Sequence, residues 1–176
     1  MSGSKSEAEG LLKDPAIREY LLRLIGEEGI DLIVKFPEEG EFSDEELAAK
    51  TGINLNSVRH TLYTLYEKRL AEYRRIKNVD TGWLTYLWKL NLNNIDEVIR
   101  EDLRYVLEKL EARRRFEEEN DFYVCNSCGT FTFNQVAETN FLCPVCGKPV
   151  EHFDNEILLK ALIRRIEEIR GCISNG

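Results

Sequence analysis

Cys125-Asn126-Ser127-Cys128-Gly129 and Cys143-Pro144-Val145-Cys146-Gly147 are the two runs on which the reading of the chain turns. A gap of two residues lets both thiolates of a pair face one point. The glycine after each pair permits the sharp backbone turn that aims amides at sulfur. Two such knuckles offer four soft, anionic sulfurs at tetrahedral spacing, the ligand set of a structural Zn²⁺ site. Residues 129–142 between them suffice for a small hairpin. Cys125, Cys128, Cys143 and Cys146 are therefore the expected ligands of one zinc ion. Disulfides are the weaker alternative, because nothing reads as a secretory leader and pairing these four leaves Cys172 odd. Iron in a rubredoxin-like site uses the same ligands, so ligand type alone leaves it open. A closed four-thiolate site has no position for water or substrate, which argues against metal catalysis.

Upstream, each element carries its own start or stop. Asp14-Pro15 opens a helix through Ile17, Tyr20, Leu21, Leu24 and Ile25 that is expected to stop near Gly26 and Gly29. Ile30 to Phe36 reads as helix extension or short strand, and Pro37 to Gly40 as loop. Ser43-Asp44-Glu45-Glu46 is a capping box for a short second helix. Thr51-Gly52-Ile53 is a tight turn, and Asn54 or Asn56 caps a third helix that buries Val58, Leu62, Leu65 and Tyr66. Two β-biased runs follow, Ala71 to Ile76 and Trp83 to Leu90, joined by the polar turn Lys77 to Gly82. Helix, capped helix, turn, helix and hairpin is the winged helix-turn-helix order, with the hairpin as wing.

From Asn94 to about Glu119 the spacing of Ile95, Ile99, Leu103, Val106, Leu107 and Leu110 predicts a long connecting helix with one apolar stripe. Its charged end, Arg113 to Glu119, reads as a solvated helix end more than a binding patch. After the metal module, Asp154 or Asn155 caps a last helix that buries Leu158, Ala161, Leu162, Ile166 and Ile169 and ends at Gly171. The expected fold is α+β, mainly α. A start over 1–10 that reads as disordered precedes a winged helix over 11–93. A connecting helix over 94–120, a zinc ribbon over 121–153, a C-terminal helix over 154–171 and a tail over 172–176 complete it.

Composition narrows the function. A net charge of −8 disfavours a protein whose whole surface clamps duplex DNA, since such affinity comes mainly from phosphate neutralisation. The basic residues between positions 59 and 89 are nevertheless local: Arg59, Lys68, Arg69, Arg74, Arg75, Lys77 and Lys89, against Glu67, Glu72 and Asp80. Such a face suits an adaptor that touches nucleic acid while docked on something else. The third helix shows Ser57, His60, Thr61 and Thr64 outward, a poor set for reading base edges. On the wing, alternation puts Leu84, Tyr86, Trp88 and Leu90 on one face and Trp83 and Leu87 on the other. Either both faces are covered within the domain, or some rings stay outside as anchors for protein or an unstacked base. No apolar run approaches a membrane span, and a soluble, cytoplasmic, nucleoid-associated protein is expected. With His60 and His152 as its histidines, the chain offers no convincing nucleophile–base set, and no enzyme or small-molecule substrate is expected.

The run Thr51 to Arg75, then Thr81-Gly-Trp-Leu-Thr-Tyr-Leu-Trp-Lys-Leu90, resembles the alpha subunit of archaeal transcription factor E, and the similarity continues through the connecting helix and the Cys125–Cys146 ribbon. That family is the counterpart of the large subunit of eukaryotic general factor IIE. The resemblance implies an initiation factor that binds RNA polymerase at its clamp and stalk and favours the open promoter complex. It implies contact with the non-template strand without sequence reading. Carried over by position, Arg74, Arg75, Lys77, Trp83, Tyr86 and Trp88 form the polymerase/DNA contact region, and the four cysteines bind zinc. TATA-binding protein and a beta subunit are further candidate partners. The rival is a free-standing winged-helix repressor with a structural zinc domain, which would bind a defined duplex without polymerase.

Overall fold

The structure, a computed structural model, describes residues 10–37, 39–77, 79 and 82–174. The disordered start expected over 1–10 thus lies, but for Gly10, outside the described residues, as do Asn78, Asp80 and Thr81 of the expected wing turn. The chain folds as two compact units, Met1–Ile99 and Arg100–Gly176.

Helix α1, Pro15–Lys35, opens the first unit. Asp14 caps it, accepting from the Ala16 N–H at 2.8 Å, and Pro15 takes a position where a missing N–H does no harm. The helix breaks at Gly26 (φ 71°, ψ 180°) and then resumes, so Ile30 to Lys35 is helical. Gly26 adopts a conformation free of Cβ strain only for glycine. At Gly29 an added Cβ would lie 2.5 Å from Ile25 Cβ, so the backbone there packs directly on that side chain.

Helix α2, Asp44–Thr51, starts on a reciprocal cap. The Ser43 Oγ accepts from the Glu46 N–H at 3.2 Å, and the Glu46 carboxylate accepts from the Ser43 N–H at 2.8 Å. Helix α3, Leu55–Glu67, is capped by Asn54 and buries Val58, Thr61, Leu62 and Leu65. Strands β1, Ala71–Lys77, and β2, Leu84–Leu90, pair antiparallel from Ala71↔Leu90 to Lys77↔Leu84. Phe42 adds a third rung: its N–H donates to the Trp88 carbonyl at 3.1 Å, and the Trp88 N–H returns to the Phe42 carbonyl at 2.8 Å. The core joins Leu21, Leu32, Ile33, Leu47, Val58, Leu62, Leu65, Leu70 and Trp88, with Ile95 and Val98 from the start of α4, Ile95–Glu119. This is the winged helix-turn-helix.

The second unit holds α4 from Arg100 onward, β3 Phe122–Cys125, β4 Gly129–Thr132, α5 Phe133–Ala137, β5 Glu151–Phe153 and α6 Glu156–Ser174. The sheet runs β4-β3-β5, with both pairs antiparallel. The expected hairpin between the knuckles does not form. Instead β3 and β4 fold around the first knuckle, with Cys125 opposite Gly129, and α5 follows. Asp154 caps α6 by accepting from the Glu156 N–H at 2.9 Å, and the helix runs past Gly171 to Ser174.

The charged end of α4 is not solvated along its length. Glu117 is 3% exposed. Arg113 pairs with it one turn back, and Asn155 donates to its carbonyl at 3.0 Å and its Oε2 at 2.7 Å. Burial of a carboxylate demands partners of this kind. Phe116 lies 5.7 Å, ring to ring, from Phe122, and Arg170 of α6 reaches Glu111 of α4. Among the described residues no helix is long and apolar enough to cross a membrane.

Candidate metal centre and wing surface

The two knuckles meet. The Sγ atoms of Cys125, Cys128, Cys143 and Cys146 all lie within 4.8 Å of one another, with Cys125 and Cys146 at 3.6 Å. A tetrahedron of metal–sulfur bonds of about 2.3 Å has edges of about 3.8 Å, so these separations are close to what one metal ion requires. Each knuckle is built by its own backbone. The Cys128 N–H donates to the Cys125 carbonyl at 3.2 Å, and the Gly147 N–H donates to the Cys143 carbonyl at 2.9 Å. The Cys143 N–H is tied to the Lys148 carbonyl at 2.7 Å, and Gly129 (φ 123°) and Gly147 (φ 72°) make the expected turns.

The thiols already differ in acidity. Burial pushes Cys143 up, but the N–H groups of Cys146 and Val145 and the neighbouring thiols outweigh it and draw its pKa down to about 7. Hydrogen bonding to Cys146, then burial, pushes Cys128 up to about 12. Cys125 and Cys143 are buried, whereas Cys128 and Cys146 are exposed. Cys172 stands apart as an exposed thiol on α6. His152 lies on β5 with its ring 5.5 Å from Tyr123.

The six wing residues fall into four environments. Trp88 is 1% exposed, packed against Tyr63, Tyr66 and Tyr73 at ring distances of 5.2, 6.3 and 5.1 Å. Tyr86 is half-buried beside Tyr73. Tyr66, expected inside, is 44% exposed. Arg74 is held by Glu41, whose carboxyl the hydrogen bond from Arg74 keeps below its ordinary value. Arg75, Lys77 and Trp83 are exposed, Trp83 to 76%. Around them Ile76, Val79 and Leu84 are also exposed, so the far end of the wing combines cations with apolar side chains.

Helix α3, which would face DNA in a base-reading winged helix, is poorly equipped for it. Arg59 donates to Asp44 and to Glu45, and these bonds tie it to α2. Thr61 is buried, and the Thr64 hydroxyl donates to the His60 carbonyl at 2.9 Å. Side chains so engaged leave little for base edges.

A winged helix-turn-helix and a four-thiol ribbon in one chain define a winged-helix protein with a candidate structural metal module. The family model for the TFIIE alpha subunit matches residues 15–119. Over nearly its whole length the chain is similar to transcription factor E of Methanoregula boonei, 63% identical over 169 residues that cover 96% of this chain and 98% of that one. Transcription factor E of Methanospirillum hungatei is 56% identical over 162 residues, 92% of this chain and 94% of that one. The Haloarcula marismortui protein of the same name is 45% identical over 163 residues, 92% of each chain. The chain belongs to the transcription factor E family, the counterpart of the TFIIE alpha subunit, and it is a general transcription factor and not an enzyme.

Proposed function

We propose that this protein binds RNA polymerase at the promoter, through its clamp and stalk, and favours the open complex. DNA is met as a neighbour, on the non-template strand and without sequence readout. The observation that carries this reading is the division of the winged helix: Arg59 is engaged by Asp44 and Glu45, while Arg75, Lys77 and Trp83 are exposed on the wing. An apolar, cationic wing beside a silent recognition helix suits docking and backbone contact better than reading an operator. Of the six residues expected at the contact, Trp88 serves the core and Arg74 is engaged by Glu41, so contact falls to Arg75, Lys77 and Trp83, with Tyr86 behind them. Cys125, Cys128, Cys143 and Cys146 hold one structural Zn²⁺, which cross-links the ribbon and takes no part in chemistry. TATA-binding protein and a beta subunit are further partners in this scheme.

A factor of this kind acts by differential affinity. It shifts the closed–open equilibrium by as much as it binds the open state more tightly, and no more. The test is permanganate reactivity of unpaired promoter thymines with purified polymerase, with and without the protein. Reactivity should rise on addition. The triple variant Arg75→Ala, Lys77→Ala, Trp83→Ala should lose that rise while keeping most polymerase binding. Absence of polymerase binding, with a footprint on a discrete duplex, would establish the repressor reading instead.

A further inference from the structure

A polar cleft of about 310 Å³ opens between α1 and α3 in the winged-helix unit. Ile25 and Glu28 of α1 line it from one side, and Asn56, Ser57, His60 and Thr61 of α3 from the other. The helical repeat builds the second wall, since Asn56 with His60, and Ser57 with Thr61, stand one turn apart in two neighbouring columns. The two α1 residues stand on either side of the break at Gly26. Thr61 is the unusual member. It is 3% exposed, yet its hydroxyl has no hydrogen-bond partner among the described residues. Helical threonines can bond back to the carbonyl four residues earlier. Thr51 does so to Leu47 at 2.7 Å and Thr64 to His60 at 2.9 Å, whereas Thr61 makes no such bond to Ser57. The sliver of Thr61 that solvent reaches includes this hydroxyl, so the group faces the cleft and not the core. A hydroxyl held so deep without a partner costs free energy until something in the cleft bonds to it.

The two walls carry opposite polarity. Glu28 puts a carboxylate on the α1 wall, and no lysine or arginine lines the cleft. Asn56 and Ser57 lie in the first turn of α3, where backbone N–H groups point out of the positive end of the helix. Asn54 accepts from the N–H of Asn56 at 2.9 Å, and the N–H of Ser57 has no partner among the described residues. A simple anion would meet Glu28, and a simple cation would meet the end of α3. A molecule that carries both signs a few bonds apart satisfies both walls. We infer that this cleft binds a small zwitterion, an aliphatic α-amino acid. Its ammonium group donates to the Glu28 carboxylate. Its carboxylate accepts from the Ser57 N–H and from the Ser57 and Thr61 hydroxyls, and its side chain lies on Ile25. The volume is at the small end for ligand sites, which suits a free amino acid better than a nucleotide. A bound zwitterion links α1 to α3 and stabilises the winged helix in step with its concentration. The site stands on that unit alone and does not depend on the polymerase reading.

The ¹⁵N-labelled full chain is titrated with L-valine, with isobutylamine, which lacks the carboxylate, and with isovalerate, which lacks the ammonium group. Valine should shift the amides of Glu28, Ser57, His60 and Thr61 along one saturating curve. Each one-signed analogue should bind about tenfold or more weakly, the effect of losing a charge-assisted hydrogen bond. No saturable shift at these amides, or equal binding by either analogue, overturns the proposal. Two variants carry the test to the side chains. Glu28→Gln alters an exposed residue, and it should weaken valine binding about tenfold or more and erase most of the preference for valine over isovalerate. Thr61→Val keeps the shape and removes the hydroxyl. It should weaken valine binding several-fold without lowering the thermal transition of the unliganded protein, since no bond within the chain is lost. Wild-type affinity for valine in Glu28→Gln overturns the site, and that variant alone decides the question if Thr61→Val does not fold.

Discussion

In the winged-helix unit Leu32, Leu47, Val58, Leu62 and Leu65 are wholly buried around Trp88, whereas the ribbon unit counts two thiols, Cys125 and Cys143, among its buried residues. The first unit is stabilised by apolar surface removed from water, about 1.5–3 kcal/mol for each such side chain. Within the second, the ribbon between its two long helices has three short strands, a one-turn helix and half-exposed rings, little apolar surface to set against the ordering of its loops. Small folds of this kind need a covalent or metal staple. The difference teaches where each unit is vulnerable: the winged helix to loss of volume, the ribbon to loss of a ligand.

The largest effect should therefore come from Cys143→Ala. Structural zinc supplies on the order of 10 kcal/mol of local folding free energy, so removal of one ligand should unfold the ribbon. Strong chelation should do the same. Helical signal from α1 to α3 and the thermal transition of the winged helix should persist. Circular dichroism together with metal analysis checks both, and a single joint collapse would break the contrast between the units. The converse variant comes next. Trp88→Ala empties the centre of the first core and should destabilise it by about 3–5 kcal/mol. Metal content should stay at one ion per chain, since Trp88 and the four thiols belong to different units.

What could be read ahead of the structure follows from how far each determinant reaches. The caps at Asp14, Ser43 and Asn54 join residues two or three apart, so their side-chain oxygens announce the helices. The knuckles declare themselves for the same reason. Glu117 does not, because the donor that makes its burial tolerable, Asn155, is 38 positions away. In a run of Arg and Glu it looks like one more solvated charge. Trp88 was equally hidden: strand alternation assigns it a face, but its burial depends on Tyr63 and Tyr66 of α3 and on Phe42. Gly26 signalled a break correctly, yet nothing local says that the helix resumes after it. Gly171 misled in the opposite direction, since an open position lets a helix pass through a glycine at modest cost.

Asn155→Ala sharpens the contrast from within the ribbon unit. It removes both amide bonds to Glu117 but leaves the four thiols untouched. A buried carboxylate that loses a donor costs about 1–3 kcal/mol. The expected outcome is a lowered stability of α6 against α4, seen as faster amide exchange over 156–174, with metal binding intact. If exchange in α6 does not change, the Glu117–Asn155 link is ornamental and the metal alone sets the stability of the unit.

The smallest effect belongs to Arg59, and it reports on the silent recognition helix. Burial pushes the Asp44 carboxyl up, but the hydrogen bond from Arg59, the neighbouring Glu45 carboxyl and Asp44's own N–H outweigh it, and the net pKa is below the usual aspartate value. A carboxyl whose pKa is depressed by folding adds stability above its unfolded pKa and loses it as pH falls through the folded value. Arg59→Ala should therefore raise the Asp44 pKa, measured by carboxyl NMR titration. The variant's small deficit at neutral pH should vanish on acidification below the usual aspartate range. Because Arg59 is bound to α2 and not to bases, the same substitution should leave duplex binding unchanged. A marked loss of sequence-specific duplex affinity in Arg59→Ala would mean that the helix reads DNA after all.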